Sequence, residues 1–269
     1  MALIDDVVTI PGLRRAWPAD ESISVEIVDE RGRIRAGCVG QSGLVLSLYA
    51  CDPVLGTLPV GEGTLVVHRL ARRAVVIGED LGTVEPWARD YLASRGVLGT
   101  SVLWFEKQHD GWPLQPQDYR HLALSTVNTH DLPPTAGYLA DEHVELRERL
   151  GLLTEPVEQV RTEARIERDR MMSRLHEHGL LGEAPTERQV VEALHRYVVR
   201  TPSVLVGIAL VDGVGERRAQ NQPGTDQEYP NWRIPLADGA GEVVFVDDLP
   251  ENARLGSLLA VVRNEMGMR

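Results

Sequence analysis

Between Ala74 and Asp131 the chain holds two apolar runs that each end on an acidic residue, and this pairing narrows the folds open to its 269 residues. The first run, Ala74 to Ile77, breaks at Gly78 and delivers Glu79; the second, Leu122 to Val127, breaks at Asn128 and delivers Asp131. Short aliphatic runs bounded by Gly and turn residues read as buried parallel strands, and the stretch between these two is helical, so the unit repeats strand then helix. Units of this kind close into barrels whose reactive side chains sit at the carboxyl ends of the strands. Two carboxylates placed there fit glycosidic chemistry, in which one keeps a proton for the leaving oxygen while another faces a developing oxocarbenium ion. A Gly-Glu-Asp after a strand also serves as a helix cap, so spacing alone leaves both readings open.

The flanking sequence extends the pattern. Thr83 is the expected cap of a helix with Pro86 in its first turn, where the missing N–H costs nothing, and Gly96 is its expected end. Val102 to Phe105 reads as the next strand, and a helix is expected to start near Pro133 and Pro134 after Asp131. Residues 141 to 200 are charged and helical, with Val157, Val160, Ala164, Met171 and Leu175 on one stripe. A second helix has Thr186 as its cap and Val190, Ala193, Leu194 and Tyr197 inward. His195 reads as an ordinary helix histidine, and His176 and His178, two apart on a helix, point to different faces and cannot share a metal. SVLVGIALVD, residues 203 to 212, reads as a fourth strand ending in Asp212, with the loop GVGERRAQNQPGTDQEYPNW after it. Before Ala74 the runs SISVEIV, GLVLSLYA and TLVVHRL, set apart by turn residues, read as a β-rich segment covering residues 1–73.

Composition sets limits on function. Hydrophobic content of 43% with five Trp is ample for a core, and a net charge of −12 without a Lys/Arg block argues against nucleic acid or anionic membrane as a partner. No run reaches the roughly 18 apolar residues of a membrane span, and the start carries acids rather than a basic leader. Cys38 and Cys51 lack metal-ligand spacing and read as reduced thiols of a cytoplasmic protein. A Gly-rich phosphate loop, a zinc pattern and a Ser/His/Asp set are all missing, so no cofactor is expected.

Three long strings carry a resemblance. GEDLGTVEPWARDYLASRGVLGTSVLWFE, NTHDLPPTAGYL and QNQPGTDQEYPNWR, in that order, resemble the successive signatures of 4-alpha-glucanotransferases, the amylomaltases or disproportionating enzymes of the alpha-amylase clan. The likeness runs from Ala74 to Arg269 and implies the C-terminal part of a TIM (β/α)8 barrel over residues 74–269, preceded by the β-rich segment. It implies maltooligosaccharides and α-1,4-glucans as substrates, handled by a retaining mechanism. It assigns Glu79 as general acid/base, Asp131 as the carboxylate that stabilises the transition state, and His130 as a sugar-hydroxyl contact. Asn221 and Gln222 are candidates to hydrogen-bond sugar hydroxyls, and Trp232 or Tyr229 to stack on a pyranose face, unless YPNW packs the last strand instead.

One element of the family pattern is missing. Its nucleophile lies in an Arg-Ile-Asp-His string upstream of the acid/base Glu, and here the nearest string is Arg33-Ile34-Arg35-Ala36, with arginine where the carboxylate belongs. Asp29 lies at a plausible distance but within VDERGR, which reads as strand, turn, strand; Asp52 is next in line. A complete eight-stranded barrel takes about 250 residues, more than the matching stretch, so its front strands are expected to be absent. The alternative to an active transferase is a truncated, impaired homologue that at most binds glucan.

Overall fold

A computed structural model describes residues 76–267 other than Thr83, together with the backbone of six strands before them. The expectations for Thr83, Asp29, Asp52 and Cys51, and for the side chain of Cys38, lie outside the described residues. The chain divides into two compact units, one holding residues up to Thr100 with Leu122–Leu124, the other Ser101–His121 and Ser125 onward.

The first unit contains strands β1 (Val8–Ile10), β2 (Leu13–Ala16), β3 (Ser22–Val28), β4 (Ile34–Gln41), β5 (Leu46–Tyr49), β6 (Leu65–Val67) and β7 (Val76–Glu79). β2, β3 and β4 form an antiparallel meander, and β1 pairs antiparallel with β6. β5 instead runs parallel to β7, with Leu46 opposite Val76 and Tyr49 opposite Glu79. Helix α1 (Pro86–Ser94) follows, with proline at its start and Glu85 in the N-cap position expected of Thr83. Gly96, at φ 71°, lets the chain turn back. Leu98 then bridges Ile77 in parallel sense, so β7, α1 and the following strand make a crossover of the kind parallel pairing requires.

That strand, β8 (Gly99–Val102), heads a sheet of order β10-β9-β8 with β9 (Ala123–Thr126) and β10 (Leu205–Gly207). Gly99 N–H donates to the Leu122 carbonyl and Leu103 N–H to that of Thr126, partners that advance together along both chains as in a parallel ladder. The alternation of strand and helix read from the sequence is therefore present as an α/β fold with a parallel sheet. SVLWF is shifted, its strand closing at Val102 while Leu103 to Phe105 turn away.

In the second unit, helices α2 (Thr135–Leu139), α3 (Glu142–Arg149), α4 (Val157–Glu177) and α5 (Glu187–Val199) build the core. Leu103, Trp104, Met171, Leu175, Val190, Leu194 and Tyr197 pack into one cluster, as the two apolar stripes require. Thr186 and Gln189 form a reciprocal capping box at the start of α5. The run expected as a fourth strand splits: after β10 the chain enters α6 (Leu210–Val214), so Asp212 lies in a helix. Apolar runs of that length do not distinguish strand from buried helix, and here Asp212, within the helix, is bonded by Asn128 and Thr135. Helix α7 (Ala253–Glu265), capped by Asn252, closes the unit. No helix among the described residues is long and apolar enough to cross a membrane.

α2 is held from its outer side by His143, whose ring stacks on Tyr138 with centroids 4.4 Å apart while Tyr138 meets Trp104 at the same distance. Burial pushes the His143 imidazole down to about 4, partly opposed by the Asp141 carboxylate and reinforced by Arg147. The fold thus favours the neutral ring, and a group held below its ordinary value of about 6.5 adds stability that is complete above that pH and lost as pH falls towards 4. The urea midpoint should fall between pH 6.5 and pH 4, and His143→Gln should flatten that part of the profile; an unchanged slope in the variant would show that His143 does not contribute.

Candidate active site

Glu79 ends β7, half-buried, and the residue after it is held tightly. Asp80 is 2% exposed. Its Oδ1 accepts the Thr100 backbone N–H at 2.8 Å, its Oδ2 lies 3.3 Å from Arg89 Nε, and its carbonyl accepts from Arg89 Nη2 at 3.0 Å. Thr100 in turn donates its hydroxyl to the Gly78 carbonyl at 3.1 Å. A buried carboxylate satisfied by a backbone donor and a guanidinium is stable where an unpaired one would be costly. The consequence is a fixed chain direction on both sides of Glu79.

The other four side chains singled out by the sequence gather within the second unit. The chain leaving β9 passes through Asn128, buried at 5% exposure, and makes a turn in which Thr129 Oγ1 accepts the Asp131 N–H at 3.2 Å. That turn exposes His130 and Asp131 side by side, with His130 Nε2 at 3.5 Å from Asp131 Oδ2. The remaining oxygen, Oδ1, accepts a 2.6 Å hydrogen bond from Asn221 Nδ2, contributed by a loop 90 positions further along. The Trp232 ring lies 5.3 Å from the His130 ring at 48°. The sequence names all four residues, but only folding brings Asn221 onto Asp131.

Trp232 is held in an unusual way. Its φ of 60° lies in the left-handed region that a bulky side chain rarely adopts, its N–H donates to the Gln220 carbonyl at 2.9 Å, and the residue is 63% exposed. Strain of this type is retained where the surroundings over-determine the backbone. Asn231 supplies the constraint, accepting the Gln222 N–H at 2.7 Å and donating to Thr225 Oγ1 at 2.9 Å. Tyr229 is buried against Leu146 of α3 and Ala219, and donates its hydroxyl to the Ala219 carbonyl. Gln222 donates to the neighbouring Pro223 carbonyl rather than toward Asp131.

Chemically, this is an exposed carboxylate with one oxygen oriented by an amide and the other beside an imidazole, next to an open indole face. Such a surface suits a polyhydroxylated ring, which offers hydroxyl donors to the carboxylate and C–H groups to the indole. No cluster of three or more metal-ligating side chains occurs among the described residues. Three buried carboxylates, Asp80, Asp212 and Glu216, had no supporting role legible in the sequence, although Asp212 closes the run expected as a fourth strand. The Glu-Arg-Arg string at 216–218 and the uncappable Pro134 at a helix start were the available signals.

Against known proteins, a family model described as 4-alpha-glucanotransferase matches residues 59–239. The 4-alpha-glucanotransferase of Mycobacterium tuberculosis (strain ATCC 25618 / H37Rv) is 52% identical over 210 residues, a match covering 76% of this chain and 29% of that protein. The 4-alpha-glucanotransferase of Haemophilus influenzae is 28% identical over 182 residues, covering 64% of this chain and 26% of that one. Among solved structures, amylomaltase from Corynebacterium glutamicum superposes with a TM-score of 0.67 at 45% identity, over 70% of this chain and 29% of that one. The chain therefore spans less than a third of the length of these relatives.

If the Trp232 backbone is strained to present the ring, relieving it should stabilise the fold. Trp232→Asn, a residue that tolerates positive φ, should raise unfolding free energy by up to about 1 kcal/mol in urea titration. A clear loss of stability would show that the exposed ring itself holds the loop.

Proposed function

Because the chain belongs to the 4-alpha-glucanotransferase family, we propose that it serves to pass α-1,4-glucan segments between maltooligosaccharides by a retaining route. The observation that carries this reading is the meeting of Asp131, His130, Asn221 and Trp232 from two separate motifs at one exposed carboxylate. Residues 74–269 are read as the C-terminal strands and helices of a (β/α)8 catalytic barrel, and residues 1–73 as a β-rich segment that precedes it. In this reading Glu79 protonates the glycosidic oxygen as its bond to the anomeric carbon breaks, then takes the proton of the incoming 4-hydroxyl. Asp131 accepts hydrogen bonds from ring hydroxyls, and these strengthen as positive charge grows at the anomeric centre.

Asn221 holds one Asp131 oxygen so that the other remains directed at the sugar. His130 contacts a hydroxyl, and Trp232 stacks on a pyranose face. The net charge of −12 suits neutral glucans rather than nucleic acid or an anionic membrane, and a cytoplasmic setting accords with a chain holding two cysteines. The covalent step calls for a further carboxylate as nucleophile, and no Arg-Ile-Asp-His string supplies one.

The test is disproportionation of maltotriose by the purified chain. Glucose and longer maltooligosaccharides should appear at a rate at least about 1,000-fold below that of a full-length family member, since loss of one member of a catalytic unit costs several orders of magnitude. Glu79→Gln or Asp131→Asn should remove the residual turnover. Transfer that survives both substitutions would overturn the assignment.

A further inference from the structure

The two loops that meet at Asp131 and Asn221 are each fastened to a buried carboxylate, and both carboxylates come from the same few residues of chain. Asp212, in α6, is 1% exposed and Glu216, just beyond it, is also 1% exposed. Asp212 Oδ1 accepts the Thr135 backbone N–H at 2.7 Å, and its Oδ2 accepts the Thr135 hydroxyl at 2.7 Å and Asn128 Nδ2 at 3.0 Å. Asn128 and Thr135 are the two ends of the loop that carries His130 and Asp131. The residue in the N-cap position of α2 is Pro134, which has no side-chain acceptor, so the first N–H of that helix is satisfied from α6 instead.

Glu216 does the same for the second loop. Its Oε1 accepts the backbone N–H groups of Arg217 and Arg218, each at 2.9 Å. Its Oε2 accepts the Ala237 N–H at 2.9 Å and Arg218 Nη2 at 2.7 Å. Residues 217–237, which carry Asn221 and Trp232, are thereby closed at both ends on one carboxylate. The donors hold Glu216 below the usual carboxylate range even though burial pushes it up. α2 also packs closely on the start of the second loop: a Cβ on Gly137 would come within 2.3 Å of the Arg217 carbonyl oxygen. Arg217 pairs in turn with Glu142 of α3 at 2.6 Å.

We propose that Asp212 and Glu216 are positioning residues for the sugar-handling cluster, one setting the loop of His130 and Asp131, the other the loop of Asn221 and Trp232. The inference rests on the glucan reading of that cluster for its purpose, but not for its geometry. Capping α2 by itself would not require bonds across 77 and 84 positions of sequence, since a serine or aspartate in place of Pro134 would supply a local acceptor. What residues 212–216 add is registry: both loop tips are referred to one short segment, and the 2.6 Å Asp131 to Asn221 contact follows from it.

Hydrogen exchange of the purified chain, with and without maltoheptaose, tests this. Asp212→Asn should speed exchange across residues 128–135 about tenfold or more while leaving 219–233 within about twofold, and Glu216→Gln should do the reverse. The exchanged pair Asp212→Asn with Asn128→Asp, which returns a donor and an acceptor to the same contact, should recover slow exchange at 128–135. Should Asp212→Asn fail to fold, Thr135→Val, which deletes one of the three bonds, should show the same selective loosening in weaker form. Maltoheptaose should protect 129–131 and 221–232 in the wild type, and each single variant should need roughly tenfold more sugar for the same protection. Equal loosening of both loops in either variant, unchanged exchange in both, or no rescue by the exchanged pair would overturn the proposal. Selective loosening together with no maltoheptaose protection in the wild type would overturn the glucan reading instead.

Discussion

The second unit depends on a carboxylate that never meets solvent. Asp212 accepts three hydrogen bonds from neutral donors at 2.7 to 3.0 Å, and removing any of its partners would leave buried polar groups unsatisfied. Arg188 reaches the Asp212 backbone carbonyl at 3.3 Å, and His195 Nε2 lies 3.6 Å from its carboxylate. The Val191 carbonyl can only accept, so His195 Nδ1 carries the proton and its Nε2 faces the carboxylate without a bond. Burial pushes the imidazole pKa down, which the nearby carboxylate opposes. The histidine that read as ordinary from its helix position is thus buried against the residue that organises the site.

Around this carboxylate the unit separates two kinds of work. α4 and α5 bury apolar stripes and supply the bulk of the core, where Leu175, Leu194, Tyr197 and Val198 are fully enclosed. α2 and α6 are each five residues long and bury little by themselves. Helices that short are not stable on propensity. They hold because their ends are tied to other segments, and those ties place the loops that carry exposed chemistry.

Buried carboxylates hold the neighbouring chain in the same way within each unit. Asp80 steadies the chain after Glu79, Asp212 the loop of Asp131, and Glu216 the loop of Asn221. In each case the named residue sits next to, or between, residues bound to a buried carboxylate. Backbone strain at Trp232 belongs to the same scheme, since a tight network from Asn231 and Gln220 holds the indole outward.

Much was legible from the chain itself. The apolar spacing of α4 and α5, the Thr186 cap, the punctuation at Gly96 and the strands around Val76 and Ala123 follow from neighbours within a few residues, and sequence displays such neighbours directly. The long motifs likewise named Glu79, His130, Asp131, Asn221 and Trp232 without any coordinates. Tertiary structure alone decided that Asp212 lies in a helix rather than at a strand end, that Tyr229 packs inward while Trp232 faces out, and that Asn221 bonds Asp131 across 90 positions. Each of these depends on which distant donor can reach a buried acceptor, and the free energy of leaving that acceptor unpaired outweighs the weak local preferences that a sequence exposes to view.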